Sequence, residues 1–497
     1  MIRKIFLLLT LLVGCFSPAP QKPSTLRIGS TLIPQTLDPA KSGDFASATV
    51  LYLLYEGLTR YGNHGMAESI EMSEDGLTYR FTLREAVWSD GEPVTAEDFL
   101  AGWKKALNPH HPSPSSLLFY PIKNGERIAK ELASLEELGV RTDGPRNLIV
   151  ELEHPTPHFL SVVSLPPFLP IPSHRSETDI QKGAVSNGPY LLLEEDLPSH
   201  LSFKKNPLYW NAKDTGCEEI QYQIIPDEQT AMLLFEQGEL DWIGGALSPL
   251  PPDALTKLSK ARAEPVGAST FCAFNTKYEP LSNPAVRRAL SSAINREEIV
   301  EQLLHSHQIP ATRFLPPVLC EGKNRNLFQQ DFPDLSNIPP LTLEIRASVT
   351  SRLLAQILQS QWEKTLGIRV EIIQSDAKTH IEKLRSGNYQ IALANWISFY
   401  DDPINLLERF QFETDPKNYS KWSSPEYQNL LKKAQHETDL SKRMKDYEAL
   451  EDLLAEAVPI APIYHWTSPM LIQPWVENLE ISPCGAVLFE WCKKNPS

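Results

Sequence analysis

The side chains best able to carry out chemistry are two histidine pairs and one acidic pair, at residues 110–111 (HH), 305–307 (HSH) and 401–402 (DD). Histidines in polar loops are usually solvated rather than metal-bound. Adjacent aspartates do not by themselves provide the carboxylate separation that glycosidases use. The chain has no G-x-S-x-G, H-E-x-x-H or P-loop motif. The sequence therefore predicts that the protein is not an enzyme, and it predicts no cofactor and no metal.

The elements that would position such residues follow a strand–helix–strand order. Residues 220–225 alternate as a strand, Asp227 can cap a helix that ends at Gly238, and a strand resumes at 240–243. The same order returns from 341 to 396, with predicted helix ends at Gly367 and Gly387. This pattern predicts an α/β fold with mainly parallel sheets covered by helices.

Two further segments have their own patterns. After Asn283 and Pro284, apolar residues at helical spacing predict one helix that continues to Leu304. Between 58 and 165 the pattern changes to alternating strand residues, an Asp-Gly turn and a possible capping box at Thr95 and Asp98. This segment is predicted to be a separate mixed α+β domain.

The first residues predict export. Residues 1–14 have a basic start and an apolar run too short to span a membrane, so they are interpreted as a signal peptide. Residues 12–15 (LVGC) resemble the bacterial lipoprotein processing box, which implies that Cys15 becomes the acylated first residue. Residues 15–24 would then form a lipid-anchored tether. The alternative is a secreted protein with a chance cysteine near the cleavage site.

Charge and cysteine content limit the partners. The formal net charge is −15, with no basic cluster, which argues against nucleic acid and anionic lipid. Five cysteines follow Cys15, so an oxidising compartment leaves at least one thiol unpaired. The sequence does not choose a pairing, although Cys484 and Cys492 are the easiest pair to envisage.

Ten segments, in this order, resemble the extracytoplasmic solute-binding proteins of peptide ABC transporters, the oligopeptide- and dipeptide-binding family (bacterial family 5). They are 37–39 (LDP), 54–58 (LYEGL), 73–79 (SEDGLTY), 83–84 (LR), 88–99 (WSDGEPVTAEDF), 187–190 (NGPY), 206–210 (NPLYW), 226–230 (PDEQT), 274–276 (FNT) and 286–290 (VRRAL). The resemblance extends from about residue 25 to 480.

The resemblance implies a two-lobed type II clamp with an additional α+β domain. Lobe I would comprise 25–57, 165–265 and 468–497. The extra domain would comprise 58–164, and lobe II 266–467. Two chain crossings, near 266 and 467, would form the hinge.

For the ligand site, the resemblance implies strand-like pairing with a peptide backbone. One edge would be Gly43, Asp44 and Phe45. The second would be the strand that carries Asn395, Trp396, Ile397 and Ser398. Trp396 is interpreted as a cleft wall because a polar turn, Tyr400 to Pro403, follows it, with core packing as the alternative. Arg385 lies near the family's cationic groups, and a solvated helix end is its alternative.

The chain departs from the family where an aspartate would hold the peptide's free amine, because Phe399 occupies that position. An expected arginine is Leu393, and an expected tyrosine is Ser115. Either Asp401 or Asp402 takes over the amine, or the ligand has no free amine there, as in a cell-wall peptide attached to sugar. Turn-capping beside Pro403 is the structural alternative for both aspartates.

The function that the resemblance implies is capture of oligopeptides outside the cytoplasm and their delivery to an ABC permease. The ATPases would be separate cytoplasmic subunits, since this chain has no nucleotide motif. We expect a monomer in the periplasm or cell envelope, held to the membrane only by lipid on Cys15. Another solute, or a receptor that senses peptides without transport, are the alternatives.

Overall fold

The computed structural model describes residues 24–60, 63–248, 250, 261–304, 307–322, 335 and 338–495. The predicted signal peptide, Cys15, nearly all of the tether and residues 305–306 lie outside this part of the chain. No helix in the described ranges is long and apolar enough to cross a membrane.

The strands, in chain order, are β1 (Thr25–Ser30), β2 (Thr59–Arg60), β3 (Asn63–His64), β4 (Ala67–Met72), β5 (Thr78–Leu83), β6 (Val140–Thr142), β7 (Asn147–Glu151), β8 (Tyr190–Asp196), β9 (His200–Lys205), β10 (Glu219–Ile224), β11 (Trp242–Gly244), β12 (Ala261–Phe274), β13 (Ile309–Pro310), β14 (Leu341–Arg346), β15 (Val370–Ser375), β16 (Ile391–Ile397), β17 (Ile460–Ile472), β18 (Val476–Glu477), β19 (Glu480–Ile481), β20 (Val487–Leu488) and β21 (Lys493–Lys494).

The helices follow in the same order. They are α1 (Phe45–Leu54), α2 (Ala96–Leu107), α3 (Gly125–Ala129), α4 (Phe159–Val162), α5 (Glu177–Gln181), α6 (Glu228–Glu236), α7 (Pro284–Ser292), α8 (Arg296–Ile299), α9 (Val349–Leu366), α10 (Ala377–Ser386), α11 (Ile404–Leu407), α12 (Pro425–His436) and α13 (Leu440–Ala457). Short 3₁₀ turns occur at Pro39–Lys41, Ser116–Phe119, Leu135–Glu137, Pro166–Phe168 and Glu408–Phe410, and a π turn at Val300–Leu304.

In the described part of the chain, eleven strands form one mixed sheet in the order β15-β14-β16-β12-β17-β11-β1-β10-β9-β8, with β13 beside β17. Strand β1 is parallel to β10 and β11, and β14 is parallel to β15 and β16. The other pairs are antiparallel. The prediction of mainly parallel sheets is therefore wrong. The long strands β12 and β17 run against their neighbours, and β8 to β10 form a meander that needs no helical crossover.

Strands β12 and β17 pair with each other at the position predicted for the hinge. Pro265 lies opposite Thr467, and after a register shift Ser269 lies opposite His465. The interruption falls beside the two crossings predicted near 266 and 467. A break in the ladder lets paired strands bend, which is what a hinge between two lobes requires.

The segment between 58 and 165 has its own four-stranded antiparallel sheet, in the order β4-β5-β7-β6. The Thr95–Asp98 capping box that opens α2 is present, with the Thr95 N–H donating to the Asp98 carboxylate at 2.8 Å. The ring of Trp103, on α2, packs edge to face against the ring of Phe168, with centroids 5.1 Å apart. The prediction of mixed strands and helices in this segment is confirmed.

Local signals placed several helix ends correctly. The Asp227 carboxylate accepts from the Thr230 N–H at 2.8 Å at the start of α6. Gly367 and Gly387 end α9 and α10 with φ of 69° and 75°, a left-handed conformation that favours glycine.

The single helix predicted from Asn283 to Leu304 is wrong, because the chain breaks between α7 and α8. The Asn295 side chain caps α8, accepting from the Glu298 N–H at 3.1 Å. The buried Arg296 guanidinium donates to the Pro462 carbonyl at 2.7 Å and to the Ser291 carbonyl at 3.1 Å. These bonds to a distant strand and to the last turn of α7 stabilise the break.

Candidate functional site

A cavity of about 90 Å³ lies between segments that the predicted division assigns to lobe I, to the extra domain and to lobe II. Its walls come from several segments of the chain. Lobe I provides Ser42, Gly43, Asp44, Phe45, Ala48 and Tyr52, and the extra domain provides Ser115 and Leu118. The next segment provides Leu165, Pro166 and Pro167, and the C-terminal segment provides Ser482, Cys484 and Ala486. Phe399 is the residue that lobe II contributes.

The lobe I wall is held by the start of helix α1. The Asp44 carboxylate caps this helix, accepting from the Ser47 N–H at 2.8 Å and from the Ser47 hydroxyl at 2.6 Å. A side chain on Gly43 would approach Pro114 to 2.8 Å, so glycine permits close contact with the extra domain. The Asp44 cap and the close approach at Gly43 together place Phe45 in the cavity wall. Asp44 therefore positions the helix, and both of its carboxylate oxygens are engaged within the protein.

The lobe II wall begins at the end of strand β16. Asn395 is exposed, Ile397 is half-buried and Ser398 is buried. The Ser398 N–H donates to the Gly267 carbonyl at 2.8 Å, and the Phe399 N–H donates to Asn405 Oδ1 at 3.0 Å. These bonds fix the backbone so that the Phe399 ring, 45% exposed, borders the cavity.

Trp396 has the contacts of a core residue. It is 3% exposed and packs against Phe271 at 4.6 Å, with Phe314, Phe410 and Tyr419 between 5.4 and 5.6 Å. The Arg409 guanidinium lies 5.0 Å from its ring. Trp396 does not line the cavity at Phe399. These contacts favour core packing over the predicted cleft wall, because side chains alternate along β16 and only its neighbours face outward.

The two aspartates of the turn have different surroundings. Asp402 is buried, and its carboxylate accepts from the Tyr447 hydroxyl at 2.7 Å, the Ile404 N–H at 3.0 Å and Arg443 at 3.4 Å. Asp401 is exposed, with no hydrogen bond or ion pair to the described residues. Burial raises the pKa of the Cys484 thiol, and the Asp401 charge adds to that rise. Cys484 lines the cavity, and Asp401 follows the lining residue Phe399 by two positions in the chain.

Arg385 does not line this cavity. It is exposed in the last turn of α10, where its carbonyl accepts from Lys421 Nζ at 2.8 Å. Burial lowers the pKa of Lys417, and the nearby positive charge of Arg385 contributes. In this conformation Arg385 therefore lies on the surface beside Lys417 and Lys421, with Asp415 also near these lysines.

The extra domain contacts lobe II through two histidines that the sequence did not single out. The ring of His158 stacks on that of Tyr400, with centroids 5.2 Å apart, and His154 meets His436 edge to face at 5.0 Å. Burial lowers the pKa of His158 to about 4, with Arg443 and His154 adding to the fall and Asp402 opposing it. Burial also lowers the pKa values of His154 and His436. No spacing or motif in the sequence indicated these pairs.

A second, smaller cavity of about 50 Å³ lies on the other side of Phe45. Trp242, Gly245 and Ser248 line it. The Trp242 indole N–H is buried and has no partner among the described residues. Phe45 thus lines both cavities.

Two lobes joined by paired strands, with a cavity walled by both, define a solute-binding clamp. The chain belongs to the bacterial extracellular solute-binding proteins, family 5, whose family model matches residues 63–418. The described residues contain no cluster of three or more metal-ligating side chains.

Relatives and solved structures agree with this assignment. The chain is 32% identical to the oligopeptide-binding protein OppA of Bacillus subtilis, over 94% of this chain and 92% of that protein. The unliganded open form of MppA, a periplasmic murein tripeptide-binding protein, superposes with a TM-score of 0.82 at 27% identity, covering 95% of this chain and 98% of MppA. A periplasmic oligopeptide-binding protein from Borrelia burgdorferi gives 0.77 at 27% identity, covering 95% and 100%.

Proposed function

We propose that this protein captures oligopeptides outside the cytoplasm and delivers them to an ABC-transporter permease. The observation that carries this proposal is the shared cavity, in which Gly43, Asp44 and Phe45 of lobe I face Phe399 of lobe II. A ligand held there contacts both sides of the hinge at once. Such contacts stabilise the closed arrangement over the open one.

Delivery requires that the closed form be strongly favoured when ligand is bound. A shift from 1:99 to 99:1 takes about 5.5 kcal/mol of differential binding. Several backbone hydrogen bonds and one charged contact supply free energy of that size. The closed protein then docks on membrane permease subunits, whose separate cytoplasmic ATPases provide the energy. The protein itself binds and releases its ligand without catalysis.

The proposal includes the lipid anchor and the division into lobes. Acylation of Cys15 would keep the protein at the outer face of a bacterial membrane as a monomer. Lobe I (25–57, 165–265 and 468–497), the extra domain (58–164) and lobe II (266–467) remain the proposed units. The register shift between β12 and β17 and the separate four-stranded sheet support these boundaries.

Murein peptides are a second candidate ligand class. The TM-score of 0.82 with a murein tripeptide-binding protein supports it, and so does Phe399, which replaces the aspartate expected to hold a free amine. A peptide linked to sugar through its amine would need no carboxylate at that position. A receptor that senses peptides without importing them would use the same cleft.

The ligand carried by the purified protein tests these candidates. The protein is isolated without denaturation, its mass is measured by native mass spectrometry, and the ligand is released with acid and sequenced. Ordinary oligopeptides support the first candidate, and fragments that contain amino sugar or diaminopimelate support the second. A ligand with no peptide bond would overturn both.

A further inference from the structure

The cavity at Phe399 is walled mainly by hydrocarbon. Phe45 and Ala48 come from lobe I, Leu118, Leu165 and Pro166 come from the extra domain and the segment after it, and Phe399 closes the side nearest lobe II. Aromatic, aliphatic and proline side chains offer a ligand neither charge nor hydrogen bonds. This surface favours an apolar group over a polar one.

The polar side chains in the wall are largely engaged within the protein. Both oxygens of Asp44 accept from Ser47. The Ser115 hydroxyl donates to the Ser42 carbonyl at 3.0 Å, and the Ser482 hydroxyl accepts from the Ala486 N–H at 3.0 Å. Among the described lining residues there is no lysine or arginine. A carboxylate that entered would lose its water without gaining a cationic partner, which is costly.

The cavity also limits the size of its occupant. Its volume is about 90 Å³, which suits a small aliphatic group such as the branched end of a leucine or valine side chain. The walls come from every part of the clamp, so the fit is complete only when the lobes meet.

We propose that this cavity is a side-chain subsite that selects one aliphatic residue of the bound peptide, with Phe399 as a specificity-determining residue. The inference rests on the proposed peptide-binding function and adds a preference to it. Where the sequence resemblance implies a carboxylate that holds an ammonium group, this chain has an apolar ring beside an apolar hollow.

The size of the preference follows from the buried area. Leucine has three more carbons than alanine, and each buried methylene contributes about 0.8 kcal/mol, so leucine should bind on the order of 50-fold more tightly at the selected position. Aspartate at that position should bind more weakly than alanine, because its charge would be desolvated.

A position scan of a small peptide tests the inference without assuming a register. Each residue of an alanine tetrapeptide is replaced in turn by leucine or by aspartate, and dissociation constants are measured by calorimetry. The test variant is Ala48→Leu, which places extra carbons in the cavity from helix α1, where leucine is well tolerated. The matched control is Ala377→Leu, at the exposed start of α10.

The expected result is one position that prefers leucine over aspartate in the wild-type protein and in the Ala377→Leu variant. In the Ala48→Leu variant that preference falls at least about tenfold, while the other positions are unchanged. Equal affinity for leucine and aspartate at every position would overturn the subsite but leave peptide binding intact. No binding of any tetrapeptide would overturn the proposed function as well.

Discussion

The imidazole ring of His158 lies flat against the phenol ring of Tyr400, with the two planes only 6° apart and the centroids separated by 5.2 Å. The two residues belong to the extra domain and to lobe II, so the stack exists only while these parts touch. The Nδ1 atom of His158 is buried and has no hydrogen-bond partner among the described residues. The contact therefore favours the neutral ring and links the clamp to pH.

We predict that ligand affinity weakens as the pH falls from 7.5 to 5.5. Burial lowers the pKa of His158 from its ordinary 6.5 to about 4 where its ring stacks on Tyr400, and we expect this stack to break when the lobes separate. Stabilisation of the closed form is then present above pH 6.5 and is lost as pH falls below that value, because the freed ring takes up a proton. The part of this loss that comes from His158 is at most about tenfold in affinity, and His154 and His436, whose pKa values burial also lowers, add to it. Calorimetry at both pH values measures it.

The control for this prediction is His158→Phe, which keeps a stacking ring but cannot titrate. Glu408, whose pKa burial raises to about 7, also titrates in this range, so the comparison between proteins isolates His158. His110→Phe, in an exposed loop, should behave as wild type. A pH dependence that is undiminished in His158→Phe would contradict the assignment.

A free ligand amine, where one is present, should pair with Asp401 rather than with Asp402. Asp401 is exposed and unpaired among the described residues, whereas Asp402 is bonded to Tyr447, Ile404 and Arg443. Acetylating the peptide should weaken wild-type binding about tenfold or more, the size of a charge-assisted bond. Acetylation should have little effect on Asp401→Asn. If acetylation changes neither protein, Phe399 marks a site for ligands without a free amine.

Asp402→Asn is the companion variant, and its effect should appear in folding. The substitution removes the buried charge that faces Arg443, whose side chain is 9% exposed. We expect a lower free energy of unfolding, by about 2 kcal/mol, measured by urea denaturation. A loss of affinity for free-amine peptides with unchanged stability would assign the amine to Asp402 instead.

The buried ion pair between Arg313 and Glu451 should be important for the stability of lobe II. Both side chains are at most 4% exposed, and Glu451 also accepts from the Leu315 N–H at 2.7 Å. Glu451→Gln leaves a buried guanidinium without its counter-charge and should lower the free energy of unfolding by about 3 kcal/mol. The exposed pair Lys277 and Glu413 is the control, and Glu413→Gln should cost less than about 1 kcal/mol. Equal effects in the two variants would contradict the prediction.

The five described cysteines should all be free thiols. Cys217, Cys272, Cys320, Cys484 and Cys492 are buried and unpaired, so the pairing of Cys484 with Cys492 envisaged from the sequence is not found. A protein lacking Cys15 should release about five thiols to a colorimetric reagent when unfolded, and almost none when native. Three or one thiols after unfolding without reductant would reveal disulfides.

Local features of the fold were predictable because short stretches of sequence determine them. Asp227, Gly367 and Gly387 mark helix ends through contacts or dihedral angles within a few residues. The break before Arg296 was not predictable, because it depends on the Pro462 carbonyl far along the chain. The antiparallel pairing of β12 with β17 was missed for the same reason, since it joins residues about 200 positions apart.

In the candidate site, too, the sequence predicted which residues line the cavity but not the contacts that distant segments make with them. The sequence located Gly43, Asp44, Phe45 and Phe399, which line one cavity. It could not show that the Asp402 carboxylate accepts a hydrogen bond from Tyr447 of helix α13. Nor could it show that the Trp396 ring packs against aromatic rings from three other segments. Contacts made by distant segments decide which polar groups remain for a ligand.

The most direct test of the central claim is a calorimetric titration of the protein lacking Cys15 with tri- to pentapeptides, repeated at several temperatures. We expect saturable binding with a negative heat-capacity change, because closing the lobes buries apolar surface around the ligand. Absence of binding by every peptide, with the protein folded and free of ligand, would contradict it.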